Sequence, residues 1–236
     1  MLRRFLVLTV LTLAACDLGA PPPVAPSPAG AHPPSLGGAP STASFAQVVA
    51  RIEPVAEEEC RRRTRGTNCD FLVRVDQNPR AVANAYQSED ASGRPVITFT
   101  QAMIASASNA DELAFVLGHE AAHHISGHLE RQAQNAAAGA IIFGSLATLT
   151  GGSANDVAAA QQLGEVVGAR SYSKEFELEA DRLGTIITYR AGFDPLLGAQ
   201  YFTRIPDPGD RFLGTHPPNA TRLEMVRQTV RQMGLL

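Results

Sequence analysis

The chain has 236 residues, 44% of them hydrophobic, a formal charge of −3 and a pI near 6.1, which suits one substantial core and shows no sign of a second. Its basic residues are all arginine except Lys174, and they are scattered along the sequence. No concentrated basic face is offered to nucleic acid, so nucleic acid is not expected as a partner.

Arg3 and Arg4 precede an apolar run from Phe5 to Ala15 that is too short to span a bilayer, so residues 1–15 read as a signal peptide. Leu13-Ala14-Ala15-Cys16 resembles the bacterial lipobox. This predicts cleavage before Cys16, lipid on its thiol and a membrane anchor facing the periplasm; an ordinary signal peptide with a chance cysteine is the competing reading. Asp17 does not decide between inner and outer membrane. Residues 16–44 are dominated by Pro, Ala, Gly and Ser, with Pro21-Pro22-Pro23 and Pro33-Pro34, and predict a disordered, semi-rigid tether.

A globular domain is predicted over residues 45–236. It opens with a helix through Phe45, Val48, Val49 and Ile52. Cys60 and Cys69 are an even pair once a lipidated Cys16 is set aside, which predicts a disulfide in an oxidising compartment. A metal pair is the alternative, although the spacing matches no common zinc motif. The basic run Arg61 to Arg65 reads as a solvated loop or a contact for anionic lipid.

Strands are predicted at Phe71–Val75, Ala81–Tyr86 and Pro95–Thr100, the last two separated by Ser92-Gly93 turn chemistry, in a small antiparallel sheet. Val96, Ile97, Thr98, Phe99 and Thr100 would form an edge strand able to pair with an extended polypeptide. Asn109 reads as a helix N-cap with Glu112 completing a capping box, and the helix it starts is expected to run past His128 to Gln134. Residues 136–152 are small and apolar with several glycines, and predict a tightly packed helical hairpin rather than a membrane span. Another helix is expected from Ser171 to Ala191, stopped by Gly192 and Pro195; a short helix follows Pro195, and a last one begins after Asn219.

Four of the six histidines lie in one window, His119-Glu120-Ala121-Ala122-His123-His124-Ile125-Ser126-Gly127-His128. Four residues turn a helix by about 400°, so His119 and His123 share a face and can grip one ion, while Glu120 is displaced by about 100° and suits a general base. This H-E-x-x-H pattern is the chemistry of a zinc-dependent peptidase. A third ligand is needed. His128 falls about 180° from His119 unless the helix breaks, and His124 about 140°, so both are assigned packing or hydrogen-bonding roles. Glu177 and Asp181, one turn apart on the later helix, supply a ligand carboxylate and an acceptor for the outer nitrogen of a ligand histidine. Glu179 points about 200° from Glu177 and reads as solvated or salt-bridged.

Three stretches then carry a family resemblance: Glu112 to His123 with His128, Ser171 to Gly184 followed by Ala191-Gly192-Phe193-Asp194-Pro195, and Gly214-Thr215-His216-Pro217-Pro218, with Asn84-Ala85 similar to the start of a family strand. In this order they resemble the M48 family of zinc peptidases over roughly residues 45 to 236. The resemblance implies an α+β, mainly helical, zincin-like (gluzincin) core, one Zn2+ on His119, His123 and Glu177, and Glu120 as catalytic base. It also implies polypeptide substrates among envelope proteins. Tyr172 stands where the family usually has arginine. His216 is a candidate oxyanion donor, with Tyr172 as a lesser one, or a cap on the zinc, or a simple loop histidine.

The expected function is therefore a zinc metalloendopeptidase acting on misfolded or misassembled cell-envelope proteins. The alternative is a lipid-anchored chaperone or assembly factor that keeps the zinc-bound fold and cuts little.

Overall fold

A computed structural model describes residues 42–236 apart from 212 and 215; the predicted signal peptide, Cys16 and nearly all of the predicted tether lie outside the described residues. The first described element is α1 (Thr42–Arg63), which starts three residues before the predicted domain start. Its buried stripe, Phe45, Val48, Ile52 and Ala56, recurs at helical spacing and enters the main core. Arg61, Arg62 and Arg63 form the last turn of α1 rather than a loop, where cations oppose the negative end of the helix dipole. They pair with Glu57, Glu58 and the buried Glu59, which also binds Arg190.

The sheet corrects two expectations. It has three strands, β1 (Leu72–Asp76), β2 (Ala85–Glu89) and β3 (Pro95–Thr100), in the order β1-β3-β2. β1 pairs with β3 in parallel and β2 with β3 antiparallel, so the sheet is mixed rather than antiparallel. Val96, Ile97, Thr98, Phe99 and Thr100 consequently lie on the central strand, with ladder partners on both sides and every residue buried. They offer no free edge to a substrate. The physical reason is legible afterwards: Pro95–Thr100 does not alternate apolar and polar, and a strand covered on both faces has no need to. The β2–β3 turn is tightened by Gly93 at φ 76°, a conformation glycine adopts without penalty.

Thr100 ends β3 and caps α2 (Gln101–Ser106) through the Met103 N–H. Asn109 caps α3 (Ala110–Ile125) as predicted, accepting from the Glu112 N–H at 2.9 Å. The reciprocal half of the box is different: the Glu112 carboxylate accepts from the Ser108 N–H at 2.7 Å and from both arms of Arg204 at 2.5 Å. α3 is buried along most of its length, packed by α1, the sheet and α6 (Ser173–Arg190). It does not continue to Gln134. Gly127 adopts φ 63°, breaks the helix and starts α4 (His128–Leu149) in a new direction.

α4 and α5 (Ala154–Arg170) form the hairpin predicted around residues 136–152, longer than expected and joined by a turn in which Ser153 and Asp156 make a reciprocal capping box. Beyond α6 come α7 (Pro195–Gly198), a 3-10 turn over Ala199–Thr203 and α8 (Asn219–Gln232). Phe115, Phe202, Val226 and Val230 build a second small core in which the 3-10 turn joins α8 to α3, while α8 itself packs on α6. Cys60 and Cys69 are disulfide-bonded with Cα atoms 5.7 Å apart, tying the end of α1 to the approach to β1.

Candidate metal centre

The site depends on how closely α3 and α6 approach. Gly118 of α3 and Gly184 of α6 face each other: a Cβ on Gly118 would lie 3.0 Å from the Gly184 carbonyl oxygen, and one on Gly184 would lie 2.9 Å from the His119 backbone. Absence of both side chains lets the helices touch backbone to backbone, and that contact sets the reach of the groups one and two turns away.

His119 and His123 project together as the helical spacing requires, with Nε2 atoms 3.0 Å apart. Glu177 closes the triangle, its carboxylate oxygens 3.6 Å from His119 Nε2 and 3.3 Å from His123 Nε2. All three donor atoms lie within 4.8 Å of one another, and this is the only such group of three among the described residues. Two imidazole nitrogens and a carboxylate oxygen are a donor set that fits a divalent transition metal with a coordination position to spare. Glu120 stands beside the pair on α3, and burial pushes its carboxyl above the usual range against the opposing charges of His119 and His123.

The outer nitrogens of both imidazoles are held. His119 Nδ1 lies 3.0 Å from Asp181 Oδ1, the relation expected from the one-turn spacing of Glu177 and Asp181. His123 Nδ1 lies 2.8 Å from His128 Nδ1. The helix break at Gly127 brings His128 round to the His119–His123 pair, so it is not on the opposite face. His128 stacks on Phe176 at 4.6 Å between ring centroids and meets Glu179 at 3.2 Å, while Arg131 bridges Glu179 and covers the far face of Phe176. Burial, reinforced by the neighbouring His123 charge, pushes the His128 imidazole down to about 4. His124 takes the structural role assigned to it: Nε2 lies 2.7 Å from the Asn68 carbonyl, beside Cys69, and the ring sits edge-on to Phe71.

Arg222, on α8, is the residue that sequence reasoning missed. Its guanidinium donates to both oxygens of Asp181, at 2.8 and 2.6 Å, and lies 3.3 Å from the Glu177 carboxylate. Phe202 lies under it at 4.0 Å. Burial works to raise the carboxyls of both Glu177 and Asp181, but the His123 bond and the His119 and Arg222 charges outweigh it at Glu177, and Arg222 outweighs it at Asp181. Both stay ionised well below neutral pH. The available signal was weak: an arginine in an otherwise polar terminal helix, shortly after His216-Pro217-Pro218.

A cavity of about 660 Å3 opens over the site. One wall is the chain leading into β2 and its first residues, 83–87; another is apolar, including Met103, Phe115, Val116, Tyr201 and Phe202. His216 lines it, half exposed, with Nε2 3.8 Å from the Glu177 carboxylate. Tyr172 is exposed and is not part of the lining.

Two helices bearing H-E-x-x-H and E-x-x-x-D, joined through a glycine contact, thus define a candidate metallopeptidase centre. The profile of Peptidase family M48 matches residues 43–230, and the chain belongs to that family. Among its relatives, the beta-barrel assembly-enhancing protease of Escherichia coli strain K12 is 30% identical over 154 residues, and that of Yersinia pestis 28% over 155. Each match covers 58% of this chain and 31% of the relative. A protein of Vibrio cholerae serotype O1 is 34% identical over 140 residues, 53% of this chain and 29% of its own length. The chain therefore matches under a third of these relatives.

Proposed function

We propose that the protein is a zinc-dependent metalloendopeptidase that cuts misfolded or misassembled cell-envelope proteins. The observation that carries this reading is the convergence of His119, His123 and Glu177 from two helices onto one point, with Glu120 alongside. Bound there, Zn2+ would polarise the scissile carbonyl and lower the pKa of water. Glu120 takes the proton of the attacking water and returns it to the leaving amine. Asp181 and His128 hold the ligand imidazoles in place, and Arg222 keeps the Glu177 and Asp181 carboxylates ionised and oriented. His216, at the mouth of the cavity, is the candidate donor to the tetrahedral oxyanion or a cap on the metal.

The edge available for substrate is β2. It pairs with β3 on one side, and its first residues line the cavity, so an extended polypeptide can add as a further strand across Ala83–Gln87. Main-chain pairing imposes little sequence preference and suits partly unfolded chains. The names of the relatives support a role in the bacterial envelope, and the lipobox-like Leu13–Cys16 supports a lipid anchor at Cys16 on a membrane facing the periplasm, with the proline-rich stretch predicted over residues 16–44 as tether up to the start of α1.

Metal content and cleavage of an unfolded protein by wild type, Glu120→Gln and Glu177→Ala test the reading. The expected result is a wild type that holds one zinc and cleaves, a Glu120→Gln variant that holds zinc without cleaving, and a Glu177→Ala variant that loses both. If Glu120→Gln does everything the wild type does, the protein acts by binding, as a zinc-containing assembly factor.

A further inference from the structure

The α4–α5 hairpin carries an apolar surface that the core does not use. Its only buried residues are His128 and Gly144 in α4, and Gly164 and Gly168 in α5. A Cβ on Gly139 would lie 2.0 Å from the Gly164 carbonyl oxygen, and one on Gly168 2.0 Å from that of Asn135. The two helices are thus zipped backbone to backbone by glycine, which leaves their large side chains turned outward. Ile141, Ile142, Leu146, Leu149, Leu163 and Val166 are all exposed, Leu149 at the tip to 85%. Ile142, Leu146 and Leu149 follow helical spacing and form one stripe toward the tip. Between Arg131 and Glu165 the sequence has a single charge, Asp156, and that carboxylate is spent on the Ser153 cap. The turn itself, Thr150-Gly151-Gly152-Ser153, is uncharged.

We propose that the tip of this hairpin dips into the acyl-chain boundary of a lipid bilayer. This rests on the envelope-anchored reading above and goes beyond it, because it adds a second membrane contact within the folded domain. A tip-first apolar surface without charge suits a planar apolar medium rather than a groove, which would need burial along one side. No described helix is long and apolar enough to cross a membrane, so the contact is interfacial. The sequence outside the described residues permits it. Residues 17–41, in extended proline-rich form, reach about 80 Å at 3.1 Å per residue, whereas α4 is about 33 Å long. A chain anchored at Cys16 can therefore lay its own hairpin against the same membrane.

The consequence falls on the active site, because His128, Leu129, Gln132 and Ser173 at the hairpin's base line the cavity. With the tip in lipid, the cleft is held on the order of 30 Å from the bilayer surface, in a fixed orientation.

The chain contains no tryptophan, so one can be introduced as a sole reporter. Leu149→Trp is placed in the full mature chain and mixed with phosphatidylcholine vesicles, some carrying brominated acyl chains; Val82→Trp, exposed to 80% near the sheet, is the control. The expected result is a blue shift for Leu149→Trp alone, with quenching strongest for bromines about 5–10 Å below the headgroup boundary. Adding Leu146→Asp should abolish both, and Leu146→Trp in the otherwise unchanged chain, one turn from Leu149 and also exposed, gives a second reporter should the first variant fold poorly. Vesicle flotation reads the lipid anchor separately. Flotation without a blue shift at either reporter overturns the hairpin contact and leaves the anchor standing; a shift that survives Cys16→Ala supports the hairpin without the anchor. A shift that needs no vesicles overturns the proposal, marking a second copy of the chain when it grows with protein concentration and polypeptide substrate when it needs unfolded protein.

Discussion

The α3–α6 pair and the α4–α5 hairpin use the same packing device to opposite ends. Both bring helices into backbone contact through glycine, Gly118 with Gly184 in one and Gly139 with Gly164 in the other. In the first, the groups around the contact face inward: His119, Glu177 and Asp181 are buried, and each has charged or hydrogen-bonding partners. In the second, almost nothing beyond glycine is buried, and the aliphatic side chains face out. Close approach is therefore a geometric tool whose meaning is set by the residues flanking it. Polar groups pinned beside it make a site, and apolar groups turned away from it make a surface.

Chemistry is where the first pair should fail hardest. Glu120→Gln is expected to cut the rate of peptide hydrolysis about 10^2- to 10^4-fold while metal content stays at the wild-type level, read by single-turnover cleavage beside metal analysis. Next comes the charge cluster. Arg222→Ala leaves Asp181 buried without its cation and should destabilise the fold by about 3–5 kcal/mol in denaturant unfolding. Asp181→Asn keeps the shape but weakens the hold on His119, and metal affinity should fall about 10- to 100-fold in a chelator competition.

The glycine contacts can be compared directly. Gly184→Val pushes a side chain into the His119 backbone and should cost about 1–3 kcal/mol and weaken metal binding with it. Gly164→Val should instead loosen the hairpin, seen as faster hydrogen exchange across α4 and α5, with metal binding unchanged; weaker metal binding in both variants would show that the two regions do not behave separately. The smallest effect is expected at the hairpin turn. Hydrogen bonds from Ser153 lower the Asp156 carboxyl below its usual value. A folded value below the unfolded one means the cap stabilises above the ordinary carboxylate range, near pH 3.9, and is lost as pH falls through the folded value. Exchange at the start of α5 should therefore accelerate only in acid, and Asp156→Asn should remove that dependence.

Local rules in the sequence were enough for a good part of this. Helical spacing alone placed His119 and His123 on one face, Glu120 beside them and Glu177 one turn from Asp181, because those relations depend on the 3.6-residue turn and on nothing farther away. The Asn109 cap, the Gly93 turn and the glycine-rich hairpin were legible from residue types that act on their immediate neighbours, and the Cys60–Cys69 pairing from cysteine number. Tertiary structure decided what local rules do not contain. Strand order made Val96–Thr100 central and gave the open edge to β2, since pairing partners are chosen by burial across the whole sheet. The left-handed turn at Gly127 brought His128 back onto His123, which one continuous helix could not do. Arg222 reached the site because α8 docks against α6 and the 3-10 turn that carries Phe202, and a long-range salt bridge leaves no periodic trace in the chain that makes it.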